Sequence, residues 1–481
     1  MNKADDAAME AAAFPKKGRS WRRVCLNVAS VVAALFTLGW LCGIPADLGF
    51  SSWRRPTGNW SPPGAKTTDS IAHPTKTYHN GPITPLADID LSPNPSIVHS
   101  DDRPTMDLAE LALVKVLDDA HPIFGKYENA QTETSTWMSR YADETKVVHM
   151  NIPGTHDSAT WNYSLETQQS LHHVTDLVND ELSPPAFYQC QERSLVKMLN
   201  AGIRAFDLRY AQDVTNSTLV FWHGSALQSE TATVEDVLYG FYHWLDDHPT
   251  EALFLSFQYE PSLIMGNTNN AEVQMQLYDT LTSPAAKRYI VQTRDRLGTL
   301  GEARGKITLL RRFDLDSVPR YCENTIPGVH FSPKAWTVNG ANITLVFNND
   351  IGELGTAYIE DYYRMLTLPN STSEENILSK LDATEAHLRR AAISHPESLF
   401  WTFASSTNTG NTPPNTPRTQ ALGSGSETPD GGVNQRLVPT LKSLKGKRLG
   451  IVMFDFYEEP EELLPLFLSL LSPDQAGLKG R

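Results

Sequence analysis

The chain has 481 residues, of which 40% are hydrophobic, so it can bury the core of one large domain or of two ordinary domains and is not disordered throughout. Its 41 Lys and Arg residues face 56 Asp and Glu residues, and the formal net charge is -15. Because no run of basic residues interleaved with aromatic residues occurs beyond the N-terminus, the sequence predicts no nucleic-acid partner.

The first predicted element is an apolar segment, VCLNVASVVAALFTLGWLCGI, at residues 24–44. It carries no charge, and at about 1.5 Å per residue a helix of this length reaches roughly 31 Å, enough to cross a bilayer core. A cleaved signal peptide, the alternative, has a shorter apolar run of about 7–15 residues. We predict a single transmembrane signal anchor. The basic residues of the tail at 1–23 orient it with the tail in the cytosol and the remaining chain lumenal or extracellular.

Two features of the chain after the anchor bear on this orientation. Asn-X-Ser/Thr sequons, each a weak prediction of glycosylation by itself, occur at Asn59, Asn162, Asn216, Asn342 and Asn370. Of four cysteines, two fall within the apolar segment, which leaves Cys190 and Cys322. In an oxidising compartment these two could form a disulfide, and two separate buried thiols are the alternative.

The next region is rich in proline and shows no sustained helical or strand period, which predicts a disordered stalk at residues 45–130. One short amphipathic helix, DLAELALVKVLDDA, is predicted within it. We assign the folded domain to residues 131–475. Inside that domain, the stretch 405–432 is rich in Ser, Thr, Gly and Pro and predicts a surface loop inserted between two strands.

Strand and helix patterns alternate through the folded domain. The predicted strands are VVHMNI, GIRAFDLRY, LVFWHG, ALFLSFQ, KITLLRRF, LFWTFAS and RLGIVMFDF. The predicted helices include TVEDVLYGFYHWLDD, AEVQMQLYDTLTS and ENILSKLDATEAHLRRAA. Apolar strands separated by helices indicate a mainly parallel sheet buried on both faces. Since no GxGxxG or Walker loop favours an open doubly wound sheet, we predict an α/β fold of the irregular (β/α)8 TIM-barrel type.

Several charged residues lie where these strands end, which is where functional side chains gather in such barrels. They are His156, Asp157, Asp207, Arg209, His223, Arg311, Arg312 and Asp455. Each one alone has an ordinary structural explanation as a loop, capping or surface residue. Together, histidines, arginines and carboxylates on different strands predict a concave site that combines an acid, a base and an anion-binding group.

The same stretches carry a resemblance to a known family. WMSRYADETKVVHMNIPGTHDSAT resembles the opening of the X domain of phosphatidylinositol-specific phospholipase C. CQERSLVKMLNAGIRAFDLRY, the segment from FWHGSALQ to LFLSFQYE, LGEARGKITLLRRF and RLGIVMFDFYEE resemble its later blocks in the correct order, so the resemblance covers residues 137–459. It implies an irregular (β/α) barrel, in agreement with the pattern of strands.

The resemblance also bears on metal dependence. Calcium-dependent members have His-Asn where this chain has His156-Asp157, and bacterial-type members replace the metal with an arginine, as Asp-Leu-Arg at 207–209 does here. The chain is therefore similar to the metal-independent kind, and we expect no cofactor. Calcium is the less favoured alternative, for which Glu260 offers one oxygen donor.

The roles of individual residues are likewise implied by the resemblance. His156 is the general base that removes a proton from the inositol hydroxyl next to the phosphodiester, and Asp455 orients its ring. Arg209 stabilises the charge on phosphorus. His223 protonates the departing diacylglycerol oxygen, and Asp157 supports His223 or Arg209.

Residues that bind the headgroup are implied as well. Arg312 matches an inositol-binding arginine, and Asp361 and Tyr363 in IEDYY match later inositol contacts. Gln258 stands where bacterial members place a lysine, which removes a cation from the pocket and favours a neutral or glycosylated inositol over a phosphorylated one.

The resulting hypothesis is a membrane-anchored phosphodiesterase that cleaves an inositol phospholipid or a GPI-type glycolipid and releases diacylglycerol. One alternative is a catalytically inactive lumenal barrel with a binding or structural role. Another is a metal-dependent phosphodiesterase of a related barrel family, acting on glycerophosphodiesters or sphingolipids. The sequence makes no prediction of the oligomeric state.

Overall fold

The computed structural model describes residues 106–175, 182–262, 268–347, 355–365 and 370–477. The predicted basic tail, the predicted anchor at 24–44, residues 45–105 of the predicted stalk and the sequon at Asn59 lie outside these residues. Within the described part of the chain, no helix combines the length and the apolar character that crossing a bilayer requires. The anchor therefore stays a prediction.

The strands form one large sheet. They are β1 (Asn151–Thr155), β2 (Ala205–Gln212), β3 (Leu219–His223), β4 (Ala226–Leu227), β5 (Ala252–Tyr259), β6 (Lys306–Arg312), β7 (Val329–His330), β8 (Ile343–Phe347), β9 (Gly355–Glu360), β10 (Leu399–Phe403) and β11 (Gly450–Phe454). The hydrogen-bonded path runs β7-β6-β5-β2-β1-β11-β10-β9-β8. Every pair along it is parallel except β8 with β9.

This sheet curls into a nearly closed barrel. Among the described strands, β7 and β8 form the two edges and do not pair with each other. The edges nevertheless approach, because the ring of Phe331, just after β7, lies 5.7 Å from the ring of Phe347 at the end of β8. The predicted barrel is confirmed in its parallel strands, and its irregularity lies at the β7–β8 gap.

Two predicted strands differ from the observed ones. LVFWH does form a strand, β3, but it pairs antiparallel with β2 and belongs to a hairpin outside the barrel path. The predicted strand VVHMNI begins later than expected, because Val147–His149 forms a 3-10 turn and β1 continues through Pro153 and Gly154. Pro153 has no N–H to donate to a neighbouring strand, but its carbonyl accepts from the Arg204 amide at 2.9 Å. A side chain at Gly154 would meet the Met453 sulfur at 2.4 Å.

The helices cover the outside of the barrel. They are α1 (Leu108–Phe124), α2 (Leu165–Ser170), α3 (His172–Thr175), α4 (Leu195–Ala201), α5 (Val234–Asp247), α6 (Ala271–Thr282), α7 (Pro284–Tyr289), α8 (Leu300–Ala303), α9 (Arg320–Thr325), α10 (Ser373–Ile393), α11 (Pro417–Leu422), α12 (Val433–Ser443), α13 (Leu463–Ser469) and α14 (Pro473–Gly477). Thr233 caps the start of α5: its hydroxyl accepts from the Asp236 amide at 3.0 Å, and the Asp236 carboxylate accepts from the Thr233 amide.

Strand alternation divides the core into two layers. On β5, Ala252 and Phe254 belong to the cluster inside the barrel, whereas Leu253, Leu255 and Phe257 belong to the cluster between the strands and the helices. Because successive side chains point to opposite faces, the polar residues at alternate positions near the strand ends point into the barrel mouth. The alternation therefore directs Gln258 on β5 into the barrel mouth. Arg312 on β6, which is paired with Gln258, points the same way.

Helix α1 belongs to the folded domain, which corrects its assignment to the stalk at 45–130. The side chains of Ala120, Ile123 and Phe124 are fully buried. Phe124 packs edge-on against Phe241 of α5 with the ring centroids 5.3 Å apart, and the Trp161 indole donates to the Ile123 carbonyl at 2.7 Å. The ordered domain therefore begins before residue 131.

The stretch 405–432, predicted as a surface loop, is partly buried and contains α11. Asn415 is fully buried, and its side chain donates to the Ser373 hydroxyl at 2.8 Å. Asn411 is also buried and donates to the Ser371 carbonyl at 2.7 Å. Since asparagine can satisfy both donors and acceptors, polar residues that are typical of an exposed loop here fix the segment against the start of α10.

Of the two alternatives for Cys190 and Cys322, the structure shows two separate thiols and no disulfide between them. Both thiols are free and buried, which is the alternative reading of these two residues. Cys322 lies on α9 in the outer core, and Cys190 lines the pocket described below. Four sequons lie within the described residues, and their asparagines are exposed: Asn162, Asn216, Asn342 and Asn370. Glycosylation of these residues stays a prediction.

Candidate active site

A pocket of about 720 Å³ opens at the carboxyl ends of the barrel strands. Seven of the residues predicted from the sequence line it: His156, Arg209, His223, Arg312, Asp361, Tyr363 and Asp455. Asp157 lies behind them and is 1% exposed. The structure therefore brings the predicted site residues to one place, from β1, β2, β3, β6, the end of β9 and the end of β11.

His156 follows β1 and is held on both sides of its ring. Its Nδ1 lies 2.9 Å from the Asp455 carboxylate, and its Nε2 lies 2.7 Å from Nη2 of Arg209. A guanidinium only donates, so Nε2 carries the lone pair and the ring proton sits on Nδ1, facing Asp455. Burial opposes the charged ring, but the Asp455 carboxylate outweighs it and the pKa of His156 is raised.

Arg209 lies at the centre of three carboxylates. Asp207 approaches its Nη2 at 3.2 Å, and Asp157 and Glu260 approach its Nη1 at 3.6 and 3.7 Å. Burial would lower the pKa of Arg209, but these negative charges raise it well above its usual range. The guanidinium is therefore permanently charged, and with Arg312 it lowers the pKa of Asp207 against the effect of burial.

His223, at the end of β3, faces His156. The two ring centroids are 6.5 Å apart and the rings are perpendicular. Nδ1 of His223 lies 2.7 Å from the Tyr188 carbonyl and 3.1 Å from the Asp157 carboxylate. A carbonyl only accepts, so Nδ1 carries a proton. Asp157 itself has a left-handed backbone (φ 41°), and burial raises the pKa of its carboxyl against the opposing charges of His223 and Arg209.

The other side of the pocket is formed by an arginine packed on an aromatic ring. The Arg312 guanidinium lies 3.8 Å from the centre of the Trp336 ring. Asp361 accepts from the Trp336 indole at 2.8 Å and from Arg312 at 3.3 Å. Arg311, by contrast, points outward to Glu323 at 2.9 Å, as strand alternation requires. Of the two adjacent arginines, only Arg312 reaches the pocket.

Gln258 lines the same side, where the resemblance implies a lysine in bacterial members. Its Oε1 is buried and accepts no hydrogen bond from any residue that the structure describes. The amide supplies no positive charge, and Glu260 adds a negative one nearby. This side of the pocket is thus less basic than a site with lysine at residue 258 would be.

Some residues of the pocket were not predicted from the sequence. Trp336 comes from the connection between β7 and β8, where no strand or motif signal is present. Tyr188 and Cys190 come from the loop before α4. The segment at 405–432 contributes Ser406, Thr407, Thr409 and Pro417. Its composition predicts only a loop, although the backbone pairing of Thr407 with Tyr363 at 2.8 Å holds it at the pocket wall.

The acidic residues of the pocket bear on metal binding. Calcium requires six to eight oxygen ligands. Of the carboxylates at the pocket, Asp157, Asp207 and Glu260 face the Arg209 guanidinium, so the position that a cation would take between these three holds a protein cation. These residues fit an arginine in place of calcium.

Comparisons with known proteins agree with this picture. No model of a known protein family matches the chain. The chain is 28% identical to a 1-phosphatidylinositol phosphodiesterase of Listeria monocytogenes over 179 residues, which are 37% of this chain and 48% of that protein. It is 30% identical to the PI-PLC X domain-containing protein 1 of Mus musculus over 137 residues, 26% of this chain and 39% of that protein. The chain thus spans less than half the length of these curated relatives.

Among solved structures, a phosphatidylinositol-specific phospholipase C from Staphylococcus aureus superimposes with a TM-score of 0.53. The two proteins are 18% identical in sequence, and the superimposed region covers 70% of this chain and 98% of the Staphylococcus aureus chain. The predicted resemblance is confirmed. At this identity the structural likeness shows the fold, a barrel of the phosphatidylinositol phospholipase C kind, and the roles of the individual residues stay predictions.

Proposed function

We propose that the protein is a phosphodiesterase that cleaves an inositol phospholipid by attack of the inositol hydroxyl on the neighbouring phosphorus. The observation that carries the proposal is the pair His156 and His223, whose rings lie 6.5 Å apart in one pocket. Arg209 connects them, with one terminal nitrogen at His156 and the other near Asp157, which contacts His223. A base, an acid and a permanent cation therefore converge on one point.

His156 takes the proton from the hydroxyl. Its Nε2 carries the lone pair, and Asp455 at Nδ1 stabilises the imidazolium that forms. The hydroxyl and the phosphodiester are attached to neighbouring carbons of the same inositol ring. The attack is therefore intramolecular and needs no bound water. The new bond between oxygen and phosphorus gives a cyclic inositol phosphate.

Arg209 stabilises the charge that grows on the phosphoryl oxygens. A guanidinium donates two parallel hydrogen bonds in a plane, which matches two oxygens of a phosphate. Its contact with His156 Nε2 would be exchanged for contact with the substrate, because both the hydroxyl and the phosphate have to approach that nitrogen. The carboxylates of Asp157, Asp207 and Glu260 hold the guanidinium in position meanwhile.

His223 gives a proton to the departing diacylglycerol oxygen as the bond from phosphorus to that oxygen breaks. The Tyr188 carbonyl and Asp157 hold the proton on Nδ1, so the acid is the imidazolium form of His223, which gives up the proton on its opposite nitrogen and becomes neutral. Since Arg209 occupies the place of a metal, no metal takes part in this mechanism.

The charges of the pocket support a neutral or glycosylated headgroup, as in phosphatidylinositol or a GPI-type glycolipid. Arg312, Trp336 and Asp361 offer a ring hydroxyl both donors and acceptors, whereas Gln258 and Glu260 supply no cation for an additional phosphate. The predicted anchor at 24–44, if it spans a membrane, would keep this pocket near its lipid.

The test measures diacylglycerol and cyclic inositol phosphate released by the full-length protein in detergent micelles. Phosphatidylinositol should be cleaved, phosphatidylinositol bisphosphate should be a poor substrate, and a GPI-anchored protein forms a third arm. Phosphatidylcholine is the control, because choline has no hydroxyl next to its phosphate. Cleavage of phosphatidylcholine at a comparable rate would refute the internal attack, and no cleavage of any lipid would favour the inactive barrel.

A further inference from the structure

Cys190 is a buried thiol in the wall of the catalytic pocket, and the mechanism above does not use it. It is 0% exposed, its amide donates to the Thr160 hydroxyl at 3.0 Å, and its carbonyl accepts from the Phe456 amide at 3.1 Å. Within the described part of the chain, the sulfur makes one weak hydrogen bond, to the Tyr188 carbonyl at 3.7 Å. The backbone therefore fixes the thiol in place while the sulfur stays largely unengaged.

The thiol sits next to two other groups that can bind a metal. The Cys190 sulfur, one ring nitrogen of His223 and one oxygen of Asp157 all lie within 4.8 Å of one another. Asp157 is 1% exposed, and neither of its oxygens accepts a hydrogen bond from the described residues. The cations near it are His223 at 3.1 Å and Arg209 at 3.6 Å. Buried carboxylate oxygens normally have hydrogen-bond donors, so this acceptor capacity points to a ligand.

We propose that Asp157, Cys190 and His223 form a binding site for a thiophilic divalent cation such as Zn²⁺. Zinc binds thiolate, imidazole and carboxylate groups with tetrahedral geometry. Bond lengths of about 2.0–2.3 Å place tetrahedral ligands roughly 3.3–3.8 Å apart, so the three groups need to approach one another by at most about 1.5 Å. The Cys190 sulfur binds the ion as a thiolate, and its proton leaves to solvent. The fourth position faces the pocket and remains open to water or phosphate.

A second triplet, His156, Cys190 and Asp455, also has its ligand atoms within 4.8 Å of one another but is the weaker site. Both ring nitrogens of His156 are already engaged, at 2.9 Å by Asp455 and at 2.7 Å by Arg209. A metal there would have to break one of these contacts. His223 has only Nδ1 engaged within the described residues, and Asp157 keeps both oxygens free of hydrogen bonds.

The ion would inhibit the enzyme, a consequence that rests on the proposed function. His223 bound to zinc cannot hold the proton that the leaving oxygen requires. Asp157 would also shift from supporting Arg209 to binding the ion. The site is thus inhibitory, in contrast to the cofactor role of a catalytic metal.

Binding is tested first without any measure of activity. Co²⁺ added to the reduced full-length protein should give the charge-transfer absorption of a cobalt thiolate, and Cys190→Ser should remove it. Cys322→Ser, which alters the other described free thiol, should keep the band. Absence of the band in the unaltered protein, or its persistence in Cys190→Ser, overturns the site. If Cys190→Ser fails to fold, loss of the band in Asp157→Asn supports the site and its persistence overturns it.

Inhibition is tested second, by titrating buffered Zn²⁺ against phosphatidylinositol cleavage. The inhibition constant should rise by on the order of tenfold or more in Cys190→Ser, with each variant compared with its own zinc-free rate, and Cys322→Ser should behave as the unaltered protein. A cobalt band without any lipid cleavage would keep the site and refute the proposed function. Cleavage that zinc inhibits equally in both variants would refute the site and keep the function.

Discussion

Two arginines, one just before β2 and one toward its carboxyl end, show how the ends of the barrel differ. Arg204, just before the strand, is 0% exposed, and its Nε and Nη2 both donate to Oε2 of Glu251, at 3.0 and 2.7 Å. Its remaining N–H groups donate to four backbone carbonyls at 2.8–3.2 Å, and it packs over the Trp244 ring at 4.8 Å. All the hydrogen-bonding capacity of this guanidinium is used within the protein.

Arg209, five residues later, lies among carboxylates whose oxygens are only partly hydrogen-bonded. Four buried carboxylate oxygens around it accept no hydrogen bond from the described residues: both of Asp157, Oδ1 of Asp207 and Oδ2 of Asp455. Burying such groups costs free energy unless a ligand completes them. The fully bonded end of the barrel therefore maintains the fold, and the incompletely bonded end is suited to bind and react.

The strongest way to break this comparison uses two histidines at the ends of β1. His156→Asn removes the proposed base at the pocket and should lower kcat/KM for phosphatidylinositol by about 10²–10⁴-fold. His149→Asn removes a histidine before β1 that contacts Glu397 at 2.9 Å, and should leave the rate nearly unchanged. Comparable losses in both variants, measured after confirming their folding by circular dichroism, would show that the loss does not come from general-base catalysis.

The second way replaces each of the two arginines by lysine, which keeps the charge and loses the planar donor fork. Arg209→Lys should lower the rate by about 10²–10³-fold, because bidentate contact with the phosphoryl group is lost, and should change the free energy of unfolding little. Arg204→Lys should lower the free energy of unfolding and leave the catalytic rate of the folded protein nearly unchanged. Several buried carbonyls would lose their donor, at about 1–3 kcal/mol each, while the folded fraction should keep its activity.

Denaturant unfolding and initial rates, measured on the same preparations, check this pair of variants. Activity loss in both without any change in stability would mean that the barrel does not separate its stabilising end from its reactive end.

The sequence allowed the catalytic half of the pocket to be predicted because its residues follow strands with a clear apolar pattern. His156, Arg209 and Asp455 lie at such positions, and alternation alone indicates that only one of the adjacent pair Arg311 and Arg312 points inward. The parallel barrel was predictable for the same reason. The gap between β7 and β8 was not, since neither edge strand has a long apolar run.

The remaining wall of the pocket depends on tertiary contacts that leave no local signal. Trp336 is positioned by Arg312 and Asp361, both distant in sequence. The low-complexity stretch at 405–432 reads as a loop because asparagine and serine favour turns, yet the same side chains hold Asn415 in the interior. The sequence left Cys190 either in a disulfide with Cys322 or as a free buried thiol. Only the fold shows that it lies in the wall of the catalytic pocket.

The third way sharpens the comparison through pH. The base has to be unprotonated, so kcat/KM should rise with pH through the pKa of His156, which Asp455 raises. Asp455→Asn removes the charge that stabilises the imidazolium, so the pKa falls and the acidic limb should move to lower pH by about one unit or more. Glu397→Gln, which alters the carboxylate facing His149, should leave the limb in place. An unchanged limb in Asp455→Asn would exclude His156 as the group that titrates.

The smallest expected effect is that of removing metal. Because the carboxylates that could bind calcium face Arg209, dialysis against EDTA should leave the initial rate unchanged, and added calcium should not raise it. A modest rise after chelation would accord with release of zinc from the site at Cys190, and it should disappear in Cys190→Ser. A fall that calcium restores would mean that Arg209 does not substitute for the ion, and the reactive end of the barrel would then need a metal to complete it.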